Sequence, residues 1–194
     1  MKGECIKCKE RLTLENASQS VATTGYGRCR LCENAHTKVR SRTLGGRYTA
    51  GRAQAKYNKH KWEWSFQQYA AIVSSGQCFY CGKPLPTAAA GLDRKDNGDY
   101  TWDAVLPCCG KQPRSVGPRG CNESKSGEIA PILLFARRYF EEHGSLPTER
   151  DFLSKVREFE AGRDEALMVI GSLGSRDLVM LRRAKSVREF LDRC

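Results

Sequence analysis

Four cysteines, Cys78, Cys81, Cys109 and Cys121, enclose the run Gly91-Leu92-Asp93-Arg94-Lys95-Asp96-Asn97, and the last of them opens the run Cys121-Asn122-Glu123-Ser124-Lys125. Thiolates at this spacing suit a tetrahedral zinc ion, which would hold a hairpin and a following helix at fixed separation. Such a clamp brings a carboxylate, Asp93, and an amide oxygen, Asn122, close enough to share a second, oxygen-liking cation, Mg2+ or Mn2+, whose other positions go to water and phosphate. Cleaving a phosphodiester needs an activated water, a cation opposite the phosphoryl and leaving oxygens, and a proton for the leaving group. A divalent ion on Asp93 and Asn122 meets the second need and, through a bound water, the third. Lys125, one helical turn past Asn122, faces the same side and can meet the phosphate. Motif register makes Cys109 the zinc ligand, although Cys108 beside it has the same chemistry.

The elements that must position these groups are short. Leu92 to Lys95 reads as a strand, Asp96-Asn97-Gly98-Asp99 as a turn, and Tyr100 to Leu106 as the returning strand; a helix is expected from about Asn122. Ahead of them, Ser65 and Gln68 have capping-box spacing. Phe66, Tyr69, Ala70 and Val73 then recur at helical spacing up to Gly76. Between Cys109 and Cys121 lies a Gly/Pro-rich basic loop that includes Arg114 and Arg119.

A second tetrad, Cys5, Cys8, Cys29 and Cys32, marks residues 1–33 as a zinc ribbon or knuckle. Residues 34–64 follow as a basic segment. Between Asn34 and Trp62, Lys38, Arg40, Arg42, Arg47, Arg52, Lys56, Lys59 and Lys61 occur without one acid, and Tyr48, Tyr57 and Trp62 are interleaved. That pattern fits phosphate neutralisation and base stacking, while a solvated basic linker is the plainer reading. The formal charge is +11. From Glu128 onward twelve Lys/Arg meet twelve Asp/Glu, so the whole excess falls in residues 1–127 and nucleic acid is the expected partner. Residues 128–194 read as helices over Glu128 to His143, Thr148 to Phe159 with a stop at Gly162, and Ser175 to Leu191. These could serve for packing, for a protein partner or for dimerisation.

With 40% hydrophobic residues the core is modest, and metal staples would make up the deficit. No apolar run follows Met1 and none approaches ~18 residues, so the ten cysteines are expected to be reduced, in an intracellular, cytoplasmic protein that does not cross a membrane.

The frame Cys-Phe-Tyr-Cys-Gly, Leu-Asp-Arg-Lys-Asp-Asn-Gly-Asp-Tyr, Leu-Pro-Cys-Cys and Cys-Asn-Glu-Ser-Lys resembles the HNH endonucleases of phages and large viruses, within the ββα-metal (His-Me) finger superfamily. The likeness covers residues 1 to about 127. It implies an α+β chain: a zinc-stapled ββα-metal nuclease domain over 65–127, an N-terminal zinc ribbon and a C-terminal helical region. It also implies DNA cleavage or nicking, homing included, in a phage's bacterial host, with one Mg2+ or Mn2+ beside two structural Zn2+. In that family an Asp on the first strand and an Asn or His on the helix hold the catalytic metal, positions filled here by Asp93 and Asn122. The residue after the Asp is a general-base His.

Here that position holds Arg94, which stays protonated and cannot accept a proton in the ordinary way. Three accounts stand open. Arg94 positions the scissile phosphate while Asp96 or metal-activated water takes the proton; or Asp96 stands where related nonspecific nucleases place their base; or the finger binds DNA, or RNA, without cutting it.

Overall fold

The computed structural model describes residues 3–24, 26–86, 89–95, 98–109, 120–122 and 131–193. The chain is mixed, helices with one small two-stranded sheet, and divides into two units between Arg42 and Thr43. Among the described residues no helix is long and apolar enough to cross a membrane.

In the first unit, Cys5 and Cys8 stand on a tight turn. The Cys5 N–H donates to the Glu10 carbonyl (2.8 Å) and the Lys9 N–H to that of Cys5 (2.9 Å), with Lys9 in the left-handed region at φ 65°. After α1 (Gln19–Thr24) the chain returns to Cys29, which is the N-cap of α2 (Arg30–Ser41). Among the described residues Cys5, Leu12, Ala17, Val21 and Cys29 form its core, and α2 buries none of its residues. The expected boundary at 33/34 therefore runs through a helix. Lys38 and Arg40 continue the element that the second cysteine pair begins.

The second unit opens with α3 (Leu44–Tyr57), capped by Thr43, whose hydroxyl accepts the Gly46 N–H at 3.1 Å. Interior glycines cost a helix about 0.5–1 kcal/mol each. At Gly45 a Cβ would come 2.9 Å from the Arg182 carbonyl oxygen, and at Gly51 2.8 Å from the Trp62 ring, so these positions permit close packing. The expected capping box is present at α4 (Phe66–Ile72), where Ser65 and Gln68 each bond the other's backbone N–H. This helix buries Phe66, Tyr69, Ala70, Ala71 and Ile72.

Strands β1 (Leu92–Arg94) and β2 (Val105–Pro107) pair antiparallel, with Asp93 opposite Leu106. The returning strand is shorter than its sequence pattern predicts, because Tyr100 bridges to Trp62 and a turn follows before Val105. Trp102 in that turn lies under the buried Arg163, whose guanidinium is 4.2 Å from the ring centroid and donates to the Trp102 carbonyl at 3.0 Å.

Among the described residues four further helices follow: α5 (Pro131–His143), α6 (Glu149–Gly171), α7 (Ser175–Arg183) and α8 (Val187–Leu191). Gly162 does not stop α6. Phe159, Arg163, Ala166 and Ile170 present one inward stripe across it, and packing outweighs the glycine's propensity. The expected last helix is two, because Ser186 accepts the Glu189 N–H at 3.1 Å and caps α8 separately. The C-terminal region is not a separate module. Ile170, Leu181, Ala184, Val187 and Phe190 share one core with Trp64, Phe66, Tyr69, Leu92 and Val105.

Arg47, read from sequence as a nucleic-acid contact, belongs to this packing instead. It is 4% exposed and donates from Nη1 to the Pro86 carbonyl (2.7 Å) and from Nη2 to that of Lys185. Arg47→Ala would remove two charge-assisted hydrogen bonds to part-buried carbonyls, at about 1.5–3 kcal/mol each. In urea denaturation the variant is expected to lose stability of that order.

Candidate metal centres

Each unit gathers four sulfur atoms. Those of Cys5, Cys8, Cys29 and Cys32, and those of Cys78, Cys81, Cys109 and Cys121, lie within 4.8 Å of one another. The Cys8 and Cys29 sulfurs are 3.7 Å apart and those of Cys81 and Cys109 3.8 Å. A tetrahedron with Zn–S bonds of about 2.3 Å has edges of about 3.8 Å, whereas a disulfide is about 2.05 Å. The described cysteines are free. Both tetrads could therefore hold a metal ion, and their edges suit a thiolate-liking tetrahedral one such as zinc.

The second tetrad sits in its own core with Phe79, Tyr80, Leu106, Leu134 and Phe135. Its thiols split in acidity. Hydrogen bonding with Cys108 and other neighbours pulls Cys78 down to about 3, and Cys108 likewise lowers Cys109; Cys109 in turn pushes Cys81 and Cys121 up. So crowded a set cannot ionise together without a cation among its members. Cys109 closes the tetrad; Cys108 is buried behind it, its Sγ 3.6 Å from the Cys109 carbonyl oxygen.

Around this centre backbone hydrogen bonds tie the cysteine turn to the sheet. The Phe79 N–H donates to the Pro107 carbonyl (2.8 Å), joining the cysteine knuckle to β2, and the Cys108 N–H donates to that of Gly91 (2.9 Å). Helical backbone begins at Cys121-Asn122, where the Asn122 N–H donates to the Cys109 carbonyl at 3.2 Å. Asp93 is on β1 opposite Leu106, three residues before Cys109, and Asn122 is bonded to Cys109 itself. Strand carboxylate and helix-start amide thus stand on neighbouring backbone segments tied through the tetrad. Asn122 is exposed; Asp93 is 5% exposed, and one carboxylate oxygen accepts the Tyr80 hydroxyl at 2.5 Å.

Arg94 is half-buried. Its guanidinium donates to the Gly98 carbonyl (2.7 Å) and lies 5.2 Å from the Tyr100 ring centroid, bracing the hairpin turn. Asp96, Lys125, Arg114 and Arg119 lie outside the described residues.

Of the basic residues read as nucleic-acid contacts, Lys38, Arg40 and Arg42 are exposed on the first unit. Arg52, Lys56, Lys59 and Lys61 are exposed on the second, around Tyr57, which is 82% exposed. This end of α3 is bound to the segment between β1 and β2, since the Lys61 N–H donates to Asp99 Oδ1 (2.8 Å) and the Tyr100 N–H to the Lys61 carbonyl (3.1 Å). His60 lies there too, with Nδ1 4.0 Å from Asp99 Oδ1. Sequence reasoning missed Tyr80. The signal available was its place between two ligands, in Cys78-Phe79-Tyr80-Cys81.

Comparison with known proteins returns no family model, no curated protein and no solved structure that matches this chain.

Proposed function

We propose that this protein is a zinc-stabilised, divalent-metal-dependent DNA endonuclease of HNH type. The observation that carries the reading is the placement of Asp93 on a hairpin tied to a thiol tetrad whose last member opens the helix bearing Asn122. A carboxylate and an amide oxygen are hard donors of the kind Mg2+ and Mn2+ select, while the sulfur sets select zinc. When bound, the divalent ion supplies charge stabilisation at the phosphoryl oxygens and an acidified water.

The chain's own residues do the rest. Asp93 and Asn122 fix the ion beside β1 and the helix start. Arg52, Lys56, Lys59 and Lys61 neutralise phosphates, and Tyr57 offers a ring face to a base. Arg94 braces the hairpin and takes no proton; in this reading Asp96 is the protein group nearest in sequence that can. The first tetrad holds α2, with Lys38, Arg40 and Arg42, as a second basic element.

A second reading is favoured by the Arg94 contacts. With that guanidinium committed to Gly98 and Tyr100, the finger could be a nucleic-acid-binding module that does not cut. Purified full-length protein with supercoiled plasmid separates the two. The nuclease reading expects nicked or linear product that requires Mg2+ or Mn2+ and stops with excess EDTA. Intact plasmid at every metal concentration, with salt-sensitive binding retained, selects the binding module.

A further inference from the structure

We infer that Tyr80 is the positioning residue for Asp93, through which the thiolate-bound metal holds the second, oxygen-liking metal site in shape. This rests on the nuclease reading and adds a residue and a coupling to it.

The two side chains are 2% and 5% exposed, and the phenol oxygen stands 2.5 Å from Asp93 Oδ2. Burying a carboxylate without a partner is costly, and a charge-assisted O–H donor is among the stronger ways to offset that cost. The phenol donates and the carboxylate accepts.

Position supplies the coupling. Tyr80 lies between the ligands Cys78 and Cys81 on a turn closed by the Gly82 N–H to the Cys78 carbonyl (2.9 Å). The adjacent Phe79 N–H pins that turn to Pro107, which is opposite Leu92. A shift of the knuckle would therefore move the Tyr80 hydroxyl against a strand held in place beside it, and with it the plane of the Asp93 carboxylate. Groups that orient a metal ligand from behind typically change metal affinity or activity by about 10–100-fold when removed.

The experiment measures Mn2+ binding to full-length, zinc-loaded protein by electron paramagnetic resonance, for wild type, Tyr80→Phe and Asp93→Asn. Zinc content, thermal unfolding and metal-free DNA affinity are recorded in parallel. Expected is a Kd for Mn2+ raised about 10–100-fold in Tyr80→Phe, with zinc content and DNA affinity unchanged, and raised further in Asp93→Asn. Wild-type Mn2+ affinity in Tyr80→Phe, when that of Asp93→Asn is weakened, overturns the role of Tyr80 and leaves the nuclease reading intact. No Mn2+ binding by the wild type removes the metal site itself, and the inference with it.

A measurement on unmodified sequence covers the case in which Tyr80→Phe fails to fold. In protein labelled with [13Cζ]tyrosine, one resonance is expected to shift as Mg2+ binds and to stay still in Asp93→Asn. Binding of Mg2+ with no tyrosine resonance moving overturns the inference.

Discussion

Asp93→Asn is expected to reduce metal-dependent plasmid cleavage by about 10²–10³-fold, the scale seen when one charge-stabilising group leaves a reacting phosphate or carbonyl centre. The substitution is nearly isosteric, and the amide oxygen can still accept the Tyr80 hydroxyl, so the buried hydrogen bond need not be lost. What disappears is a negative charge held at 5% exposure. Removing a buried charge commonly leaves stability unchanged or raises it, so a thermal midpoint equal to or above that of the wild type is expected. The combination is informative: a residue kept only for packing would lose stability and not the metal response. Cleavage by Asp93→Asn at the wild-type rate, under matched Mg2+, would remove this carboxylate from the chemistry.

What could be read in advance divides by distance along the chain. Both thiol tetrads were legible from ligand spacing along the chain, although chemistry alone left Cys108 and Cys109 equivalent as a member of the second. Caps were legible for a similar reason: Ser65 with Gln68, and Thr148 with Asp151, each complete a box within one turn. The elements that misled are those decided by partners far away. Arg47 looks like the rest of an eight-residue basic run, yet its acceptors on Pro86 and Lys185 are 39 and 138 positions off. Gly162 looks like a helix stop until Arg163 is seen reaching Trp102, 61 positions earlier. Tyr80 and Asp93 are only 13 apart, but their contact depends on how the knuckle meets the strand, which no periodicity encodes. At the candidate site, residue identity was therefore readable and the support beneath it was not.

A strong chelator is expected to act differently on the two units, each of which has a thiol tetrad that could hold a metal ion. The first unit's core is five small or medium side chains, two of them the ligands Cys5 and Cys29, which is too little apolar burial to fold such a length without a staple. Structural zinc contributes about 10–16 kcal/mol in small fingers at neutral pH, as much as a whole domain's typical net stability of about 5–15 kcal/mol. Residues 3–42 should then unfold with a strong chelator, as read by amide hydrogen exchange. The second unit also loses its cysteine-centred core, but it retains the separate cluster of Trp64, Phe66, Tyr69, Ile170, Leu181 and Phe190, so α3, α4 and α6–α8 should stay protected. Two cysteine variants locate the second centre within that unit. Cys109→Ser removes a member of the tetrad and is expected to lower bound zinc from two per chain to one. Cys108→Ser touches only the thiol packed behind it, so two zinc ions per chain are expected to remain. Zinc content after gel filtration checks both, and the reverse pattern would place Cys108, not Cys109, on the metal.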